Sequence, residues 1–320
     1  MSVVVNIKAI ECPFPLFSNP LQDECEKELN IWLEKVGALS TEKDRKFFSD
    51  LCIVPFVSTY LPNASLPQIL FAAKMSAVGV YADDYYDGKC GVENMTERVE
   101  KIKALERGEK VEAENLFEKL GIELYSEALT MFDEKQKAWL KRKCYDYVRS
   151  YQWQNRLKRR KRIPEIGEYM ALRGITVTND IAIDLSEFIG GINLPLIAKC
   201  DQSVMNMYFL ANQISWLIND LVSLENDVNT DFPANLVMSI KNTRRCTWQE
   251  AADEVYQILL DSVEEFKCWE KYVTKFYDEN LDKKVNEYIF YLKNTVNANI
   301  HFHYGTNRYK FKTEHVLNRE

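Results

Sequence analysis

The amino-acid sequence predicts an all-α fold, and three observations support this prediction. The 320 residues contain only 11 glycines and 9 prolines, so few residues interrupt helices. Long stretches lack both of these residues and are rich in Leu, Ala, Glu, Lys and Tyr. Hydrophobic residues make up 46% of the chain, which is enough for a sizeable core. We expect a single helical domain over residues 1–320 with about ten helices, although this length also permits two domains.

Residues 1–20 predict an extended N-terminal arm rather than a helix. Three prolines stand in this segment, Pro13, Pro15 and Pro20. Proline fixes φ and lacks an N–H donor, so it does not continue a helix. We expect the first helix to begin near Leu21 and a second helix to follow Ser40 or Thr41.

A third helical stretch should begin at residues 63–67 and run to Asp87. Its start, Asn-Ala-Ser-Leu-Pro, is typical of a helix N-terminus, and Gly88 is the expected stop. The next segment, residues 91–120, is charged and poorly patterned, so it predicts no definite element.

The rest of the chain predicts four more helical stretches. The first covers residues 124–161 and ends in a basic run. The second opens at Pro164, and Gly174 within it indicates a break or a close approach of another backbone. Two longer stretches follow, over roughly residues 202–227 and 247–304.

An aspartate-rich cluster lies at the end of the helix that should begin near residue 63. Residues 83–87 read Asp-Asp-Tyr-Tyr-Asp, and on a helix Asp83 and Asp87 lie within about 40° of each other. A solvated acidic helix end would also explain such a cluster. However, the preceding residues 70–82 are largely apolar and would bury most faces of the helix. We therefore expect the carboxylates of Asp83, Asp84 and Asp87 to lie at the top of a cavity.

A second polar cluster, in residues 219–227, is more specific. Asn219, Ser223 and Asp227 stand at i, i+4 and i+8, which places them on one stripe of a helix. A largely apolar run over residues 214–218 precedes them, so a solvated face explains the stripe poorly. Carboxylate, amide and hydroxyl oxygens suit a hard cation such as Mg²⁺, which commonly shares substrate phosphates. The two clusters predict a magnesium site for a phosphate ester or a diphosphate.

These two motifs resemble those of class I terpene synthases of the single-domain microbial type, and the resemblance covers nearly the whole chain. In that family a D-D-x-x-D/E motif and an N-D-x-x-S-x-x-x-E/D triad face each other across a helical barrel. Together they bind three Mg²⁺ ions, which Mn²⁺ can replace, and an isoprenyl diphosphate. The resemblance implies two sets of metal ligands here: Asp83, Asp84 and Asp87, and Asn219, Ser223 and Asp227. The family more often has glutamate at the last position, so Asp227 reaches less far.

Five further residues match family positions, three of which bind or sense the diphosphate. Arg308 and Tyr309 are similar to its C-terminal Arg-Tyr pair, which hydrogen-bonds the diphosphate. Arg173 occupies the position of its diphosphate-sensing arginine, and Thr176 and Val177 occupy the linker and effector positions that follow. Valine departs from the small residue usual at that last position. The planar guanidinium can bind two phosphate oxygens at once, which gives the arginine positions a physical reason.

Phe302 matches a position where the family commonly has a tryptophan in the cavity wall. An aromatic face there can stabilise a carbocation by cation–π attraction. Asn235 and Leu236 fit the Asn-Leu pair that usually follows the triad. His301 and His303 flank Phe302, but a helical histidine near a C-terminus is more often a capping or surface residue than a base. We assign them no role from the sequence.

The resemblance implies that the chain is a lyase that ionises a linear isoprenyl diphosphate with Mg²⁺. The allyl cation would then cyclise or lose a proton inside an apolar cavity, and diphosphate would be released. Farnesyl diphosphate, which gives a sesquiterpene, is the first choice over its geranyl and geranylgeranyl homologues. Two alternatives stay open. A chain-elongating prenyltransferase would normally need a second D-D-x-x-D motif, whose place Asn219 and Ser223 occupy. A non-catalytic helical protein could bind isoprenoid diphosphates without turnover.

Composition excludes several other classes of protein. A formal net charge of −7 argues against a nucleic-acid-binding protein. The basic run over residues 156–162 resembles a nucleic-acid patch, but it lacks interleaved aromatic residues, so a solvated helix end explains it better. The eight cysteines stand singly, without metal-ligand spacing, which is typical of reduced thiols.

The chain shows neither a secretion signal nor a charge-free apolar stretch of about 20 residues. We expect a cytoplasmic protein, monomeric or homodimeric, with no stable membrane insertion.

Overall fold

The computed structural model describes residues 2–89 and 95–318, apart from the side chains of residues 84–89, 95, 96, 98 and 148. Within this part the chain forms fourteen helices and two short strands, which agrees with the predicted all-α class. The N-terminal third contains strand β1 (Val3–Asn6) and helices α1 (Gln22–Lys35), α2 (Glu42–Asp50), α3 (Ile53–Tyr60), α4 (Leu66–Lys89) and α5 (Met95–Glu106).

The remaining elements complete a bundle around a buried apolar core. They are α6 (Leu116–Met131), α7 (Glu134–Arg160), α8 (Ile166–Thr176), α9 (Asn179–Ile189), α10 (Leu196–Lys199), α11 (Gln202–Asn229), α12 (Leu236–Arg244), α13 (Trp248–Glu270), α14 (Glu279–Gly305) and β2 (Glu314–Leu317). α11 packs against α13 and α14, while α4 packs against α1, α3 and α6. Among the described residues, no helix combines the length and the apolar character needed to cross a bilayer.

The predicted helix over residues 124–161 is in fact two helices, and it begins earlier. α6 starts at Leu116, where the Asn115 side chain accepts a hydrogen bond from the Glu118 N–H. α7 starts after Asp133, which forms a capping box with Gln136. A capping box satisfies two N–H groups that a helix start would otherwise leave without partners, so it favours a new helix without glycine or proline.

The predicted helix over residues 247–304 is also interrupted, and α13 and α14 are separate elements. Tyr277, between them, has a φ of +59°, which no α-helix accommodates. Asp278 then caps α14 by accepting hydrogen bonds from the N–H groups of Asn280 and Leu281. These two interruptions, together with helices α3, α5, α9, α10 and α12, for which no separate helix was predicted, explain why the structure has more helices than the roughly ten expected.

The predicted N-terminal arm is mainly extended, but it also contributes a strand. β1 pairs antiparallel with β2, with Val3 opposite Leu317 and Asn6 opposite Glu314. Further along the arm, the Asn297 Nδ2 of α14 donates to the carbonyl oxygens of Phe14 and Pro15, at 3.0 Å each. These contacts fasten the arm to the C-terminal part of the chain.

Candidate active site

The helices enclose an apolar cavity of about 370 Å³. Its wall includes Phe56 of α3, Phe71 and Met75 of α4, Leu124 of α6 and Phe302 of α14. Phe302 packs against Phe56 with ring centroids 5.1 Å apart, which places the predicted aromatic residue in the wall. A cavity of this size and with this mainly apolar lining suits an apolar chain.

Polar side chains gather at one end of this cavity, and one residue of each sequence cluster, Asp83 and Asn219, lies there. Asp83, Arg173, Asn219, Arg308 and Tyr309 all line it. Arg308 Nη2 lies 2.9 Å from Asp83 Oδ2, and Asn219 Nδ2 donates to the Tyr309 hydroxyl at 2.9 Å. The Asp83 side chain is 44% exposed, so the cavity meets solvent at this end. We call this region the polar end.

The aspartate-rich cluster is described for Asp83 alone. The backbone of α4 continues through Asp84 and Asp87, but their side chains lie outside the described residues. Asp83 also accepts a hydrogen bond from the Tyr151 hydroxyl at 3.1 Å, a contact that the sequence did not reveal.

The second cluster forms a stripe on α11, as its spacing predicted, in which Ser223 and Asp227 are buried and Asn219 is half-buried. Ser223 Oγ donates to Asp227 Oδ2 at 2.6 Å, and Asn235 Nδ2 donates to the same oxygen at 2.9 Å. Burial raises the pKa of Asp227 to about 7, which reflects the cost of placing its negative charge there. Neither Ser223 nor Asp227 is part of the cavity wall, because they lie one and two turns beyond Asn219.

The oxygen atoms of this stripe are suited to a divalent cation. An amide oxygen, a hydroxyl and a carboxylate are hard ligands, and a cation beside Asp227 would offset its buried charge. Among the described residues no three His, Cys, Asp or Glu side chains gather into a metal-binding group. In this stripe, Asn219 and Ser223 would supply metal-ligand oxygens beside the single carboxylate of Asp227.

Arg173 is fixed by a neighbour that the sequence analysis missed. Asp220 Oδ1 accepts hydrogen bonds from its Nε at 3.1 Å and its Nη2 at 2.9 Å. Asp220 Oδ2 accepts from the Leu236 N–H at 2.8 Å and from the Tyr169 hydroxyl. Asp220 is fully buried and follows Asn219, so the chain places its side chain toward α8 rather than along the metal-ligand stripe. The sequence signal for this role was the position of Asp220 directly after Asn219 in the family's Asn-Asp pair.

His303 also contributes to the site, although no role was predicted for it. Its Nε2 lies 3.1 Å from Asn219 Nδ2, its Nδ1 lies 2.8 Å from the Asn299 carbonyl oxygen, and its ring stacks on Tyr309. Burial lowers the pKa of His303 to about 4, so the ring is neutral at pH 7. These two contacts require the tautomer that carries its proton on Nδ1, which donates to the Asn299 carbonyl oxygen, while Nε2 accepts a hydrogen bond from the Asn219 amide. His301, in contrast, is exposed.

The helical conformation is interrupted between α8 and α9, beside the polar end. Thr178 has a φ of +59°, an unfavourable value for a β-branched residue, and Thr176 and Val177 line the cavity just before it. Gly174 does not form this break. It lies inside α8, where an added Cβ would be 3.1 Å from Asn212 Nδ2. The glycine therefore allows the Asn212 side chain to lie close to the backbone of α8.

Comparison with known proteins identifies the family. The model of terpene synthase family 2, C-terminal metal binding, matches residues 74–265, more than half of the chain. Epi-isozizaene synthase of Streptomyces coelicolor is 22% identical over 286 residues, covering 88% of this chain and 79% of that protein. A second relative, from Streptomyces viridochromogenes, is 29% identical over 112 residues, which cover 35% of this chain and 33% of that protein. Its name is 7-epi-alpha-eudesmol synthase ((2E,6E)-farnesyl diphosphate cyclizing).

A solved structure supports the same assignment at the level of the fold. Germacradien-4-ol synthase from Streptomyces citricolor superposes with a TM-score of 0.78 at 19% identity. The match covers 92% of this chain and 98% of the synthase. The family model, the similar fold and the lyases among its relatives lead to one conclusion: this chain belongs to the microbial class I terpene synthases, and it is a lyase with a divalent-metal-binding domain.

Proposed function

We propose that the enzyme ionises farnesyl diphosphate with Mg²⁺ and converts the allyl cation into a sesquiterpene. The observation that supports this most is the meeting of Asp83 and Asn219 at the polar end of an apolar cavity. A diphosphate would occupy the polar end, and its hydrocarbon chain would occupy the cavity. The name of the Streptomyces viridochromogenes relative, which states farnesyl diphosphate cyclisation, supports this chain length.

The metal ligands in this proposal are the two sets that the family resemblance implies. Asp83, Asp84 and Asp87 would hold Mg²⁺ on one side, and Asn219, Ser223 and Asp227 on the other. Three ions are proposed, with Mn²⁺ as a substitute. When bound, these ions neutralise charge on the leaving diphosphate.

The remaining residues of the polar end bind and orient the substrate. Arg173, Arg308 and Tyr309 carry hydrogen-bond donors around the space where the diphosphate would lie. Such donors stabilise the negative charge that develops as the carbon–oxygen bond breaks. Phe302 presents an aromatic ring to the cavity and would stabilise the cation. The apolar wall keeps out water, which would otherwise capture the cation as an alcohol.

Product analysis tests this function directly. The purified enzyme is incubated with Mg²⁺ and, separately, with geranyl, farnesyl and geranylgeranyl diphosphate, with EDTA and the Asn219→Leu variant as controls. Gas chromatography–mass spectrometry should detect a sesquiterpene from farnesyl diphosphate that both controls lack. A longer prenyl diphosphate from mixed substrates would indicate chain elongation instead. No conversion of any substrate would favour a protein that only binds isoprenoid diphosphates.

We also propose that residues 1–320 act as one catalytic domain, as a monomer or homodimer in the cytoplasm. The pairing of β1 with β2 supports one domain, because it joins segments more than 300 residues apart. Light scattering on the purified protein measures its oligomeric state, and limited proteolysis would release separate fragments if two domains were present.

A further inference from the structure

The basic run at the end of α7 is a feature that the proposed chemistry does not use. Arg156, Arg159 and Arg160 are exposed, and we call these three residues the basic surface. The run also contains the exposed Lys158, and two further cations have structural roles. Arg162 pairs with Glu168 at 2.6 Å, and Lys161 ends the helix with a φ of +48°.

The path of α7 places the basic surface beyond the polar end. Leu140, Cys144 and Tyr147 of this helix line the cavity, and the Tyr151 hydroxyl donates to Asp83 at the point where the cavity meets solvent. A helix rises 1.5 Å per residue, so the basic surface begins about 8 Å past Tyr151 along the helix axis and ends about 14 Å past it. Leu140, Cys144, Tyr147 and Tyr151 share one side of α7, whereas at about 100° per residue Arg156 and Arg160 lie on the opposite side and Arg159 lies between the two. The arginines therefore lie beyond the polar end along the helix axis but do not face the cavity, so they can act on a ligand there only through their electric field.

Helix capping explains only part of this charge. Cations in the last turn of a helix interact favourably with its dipole, but that effect declines within one turn. Arg156 lies outside the last turn of α7, which ends at Arg160. The basic surface therefore has more positive charge than the helix end requires.

The negative net charge of the whole chain suggests what the basic surface does. An incoming diphosphate meets a protein of net charge −7 and, at the polar end, the carboxylates proposed as metal ligands. Cations at about one Debye length from this end would offset the repulsion and raise the local concentration of the anion. We propose that Arg156, Arg159 and Arg160 steer the diphosphate group of the substrate towards the polar end. This inference rests on the proposed function.

Steady-state kinetics at varied ionic strength test the inference. The triple variant Arg156→Gln, Arg159→Gln, Arg160→Gln removes the basic surface and keeps Lys158, Lys161 and Arg162. Its matched control, Lys135→Gln, Lys275→Gln, Lys283→Gln, removes three exposed lysines. Lys135 lies in the first turn of α7, Lys283 near the start of α14 and Lys275 in the segment before α14, so the two helices separate them from the polar end. At low salt, kcat/KM of the first variant should be about 3- to 10-fold below wild type, with kcat unchanged. At roughly 500 mM salt the difference should disappear.

A second measurement does not depend on turnover. Stopped-flow fluorescence gives the association rate of inorganic diphosphate with the Mg²⁺-loaded enzyme, and this rate should fall only in the arginine variant. Equal association rates and equal kcat/KM for wild type and both variants at low salt would overturn the proposal. Loss of binding to phosphatidylglycerol vesicles with unchanged kinetics would also overturn it, in favour of a membrane-binding role. If wild type forms no terpene, the proposed function fails, and the association rate alone then decides whether this surface collects the anion.

Discussion

At the scale of single residues, the orientation of the Asn219 amide is the most informative detail of the site. Its nitrogen faces the His303 Nε2 and the Tyr309 hydroxyl, and its Oδ1 accepts from Arg173 Nη2. The two N–H groups of the amide are thus satisfied by protein, and its oxygen retains a lone pair. A residue that orients a metal ligand in this way commonly matters almost as much as the ligand itself.

We expect His303→Leu to weaken metal binding without unfolding the protein. Loss of the acceptor frees the Asn219 amide to rotate, and the loss of such an orienting contact typically lowers metal affinity or activity about 10- to 100-fold. A Mg²⁺ titration of kcat/KM and calorimetric binding of Mg²⁺ with inorganic diphosphate measure this effect. The neighbouring His301→Leu is the control, because His301 is exposed. Equal Mg²⁺ requirements in both variants would remove His303 from the positioning role.

Asp220 should matter chiefly for stability. Asp220→Asn leaves the buried Arg173 guanidinium without its carboxylate partner, at a cost of about 3–5 kcal/mol. Urea denaturation should show this loss as a lower midpoint, and the exposed Asp253→Asn should leave the midpoint unchanged. A midpoint close to wild type for Asp220→Asn would mean that the ion pair contributes little to folding.

At the scale of elements, the junction after α9 is tightly packed. A Cβ at Gly190 would lie 2.8 Å from the Ser186 carbonyl oxygen and 2.9 Å from Tyr291 Cε2, so Gly190→Ala forces α9 and α14 apart. We expect the free energy of unfolding to fall by about 1–3 kcal/mol.

Gly167→Ala is the opposite case. Its added Cβ, in the first turn of α8, meets nothing within 4 Å and should stabilise the protein by roughly 0.5–1 kcal/mol. Thermal unfolding of the two variants should therefore shift in opposite directions.

Periodicity predicted some of these elements better than others, for physical reasons. α4 and α11 are long and apolar, so their course and the stripe of Asn219, Ser223 and Asp227 were readable. The starts of α7 and α14 depend on caps that use polar side chains, and such caps interrupt a helix without any change in apolar spacing. At the site, a residue such as His303 acts through contacts between elements distant in sequence, which one helix's pattern does not contain.

At the scale of the whole molecule, the site exists because separate parts of the chain converge. α4 contributes Asp83, α11 contributes Asn219, and residues after α14 contribute Arg308. Thr306 Oγ1 donates to the carbonyl oxygen of Asp50, at 2.8 Å, and so ties that last segment to the N-terminal helices. Binding at the polar end therefore connects elements from both halves of the fold, and should stabilise the whole protein rather than one helix.

Metal and diphosphate together should raise the melting temperature. A ligand that binds only the folded state at 100 times its Kd contributes about 2.7 kcal/mol, which corresponds to roughly 5 °C for a chain of this size. Differential scanning calorimetry with Mg²⁺ and inorganic diphosphate measures the shift, and EDTA should abolish it. Asn219→Leu should lose the shift, whereas His301→Leu should keep it. A full shift in the Asn219 variant would show that the diphosphate is held without this residue and would contradict the proposed metal assignment.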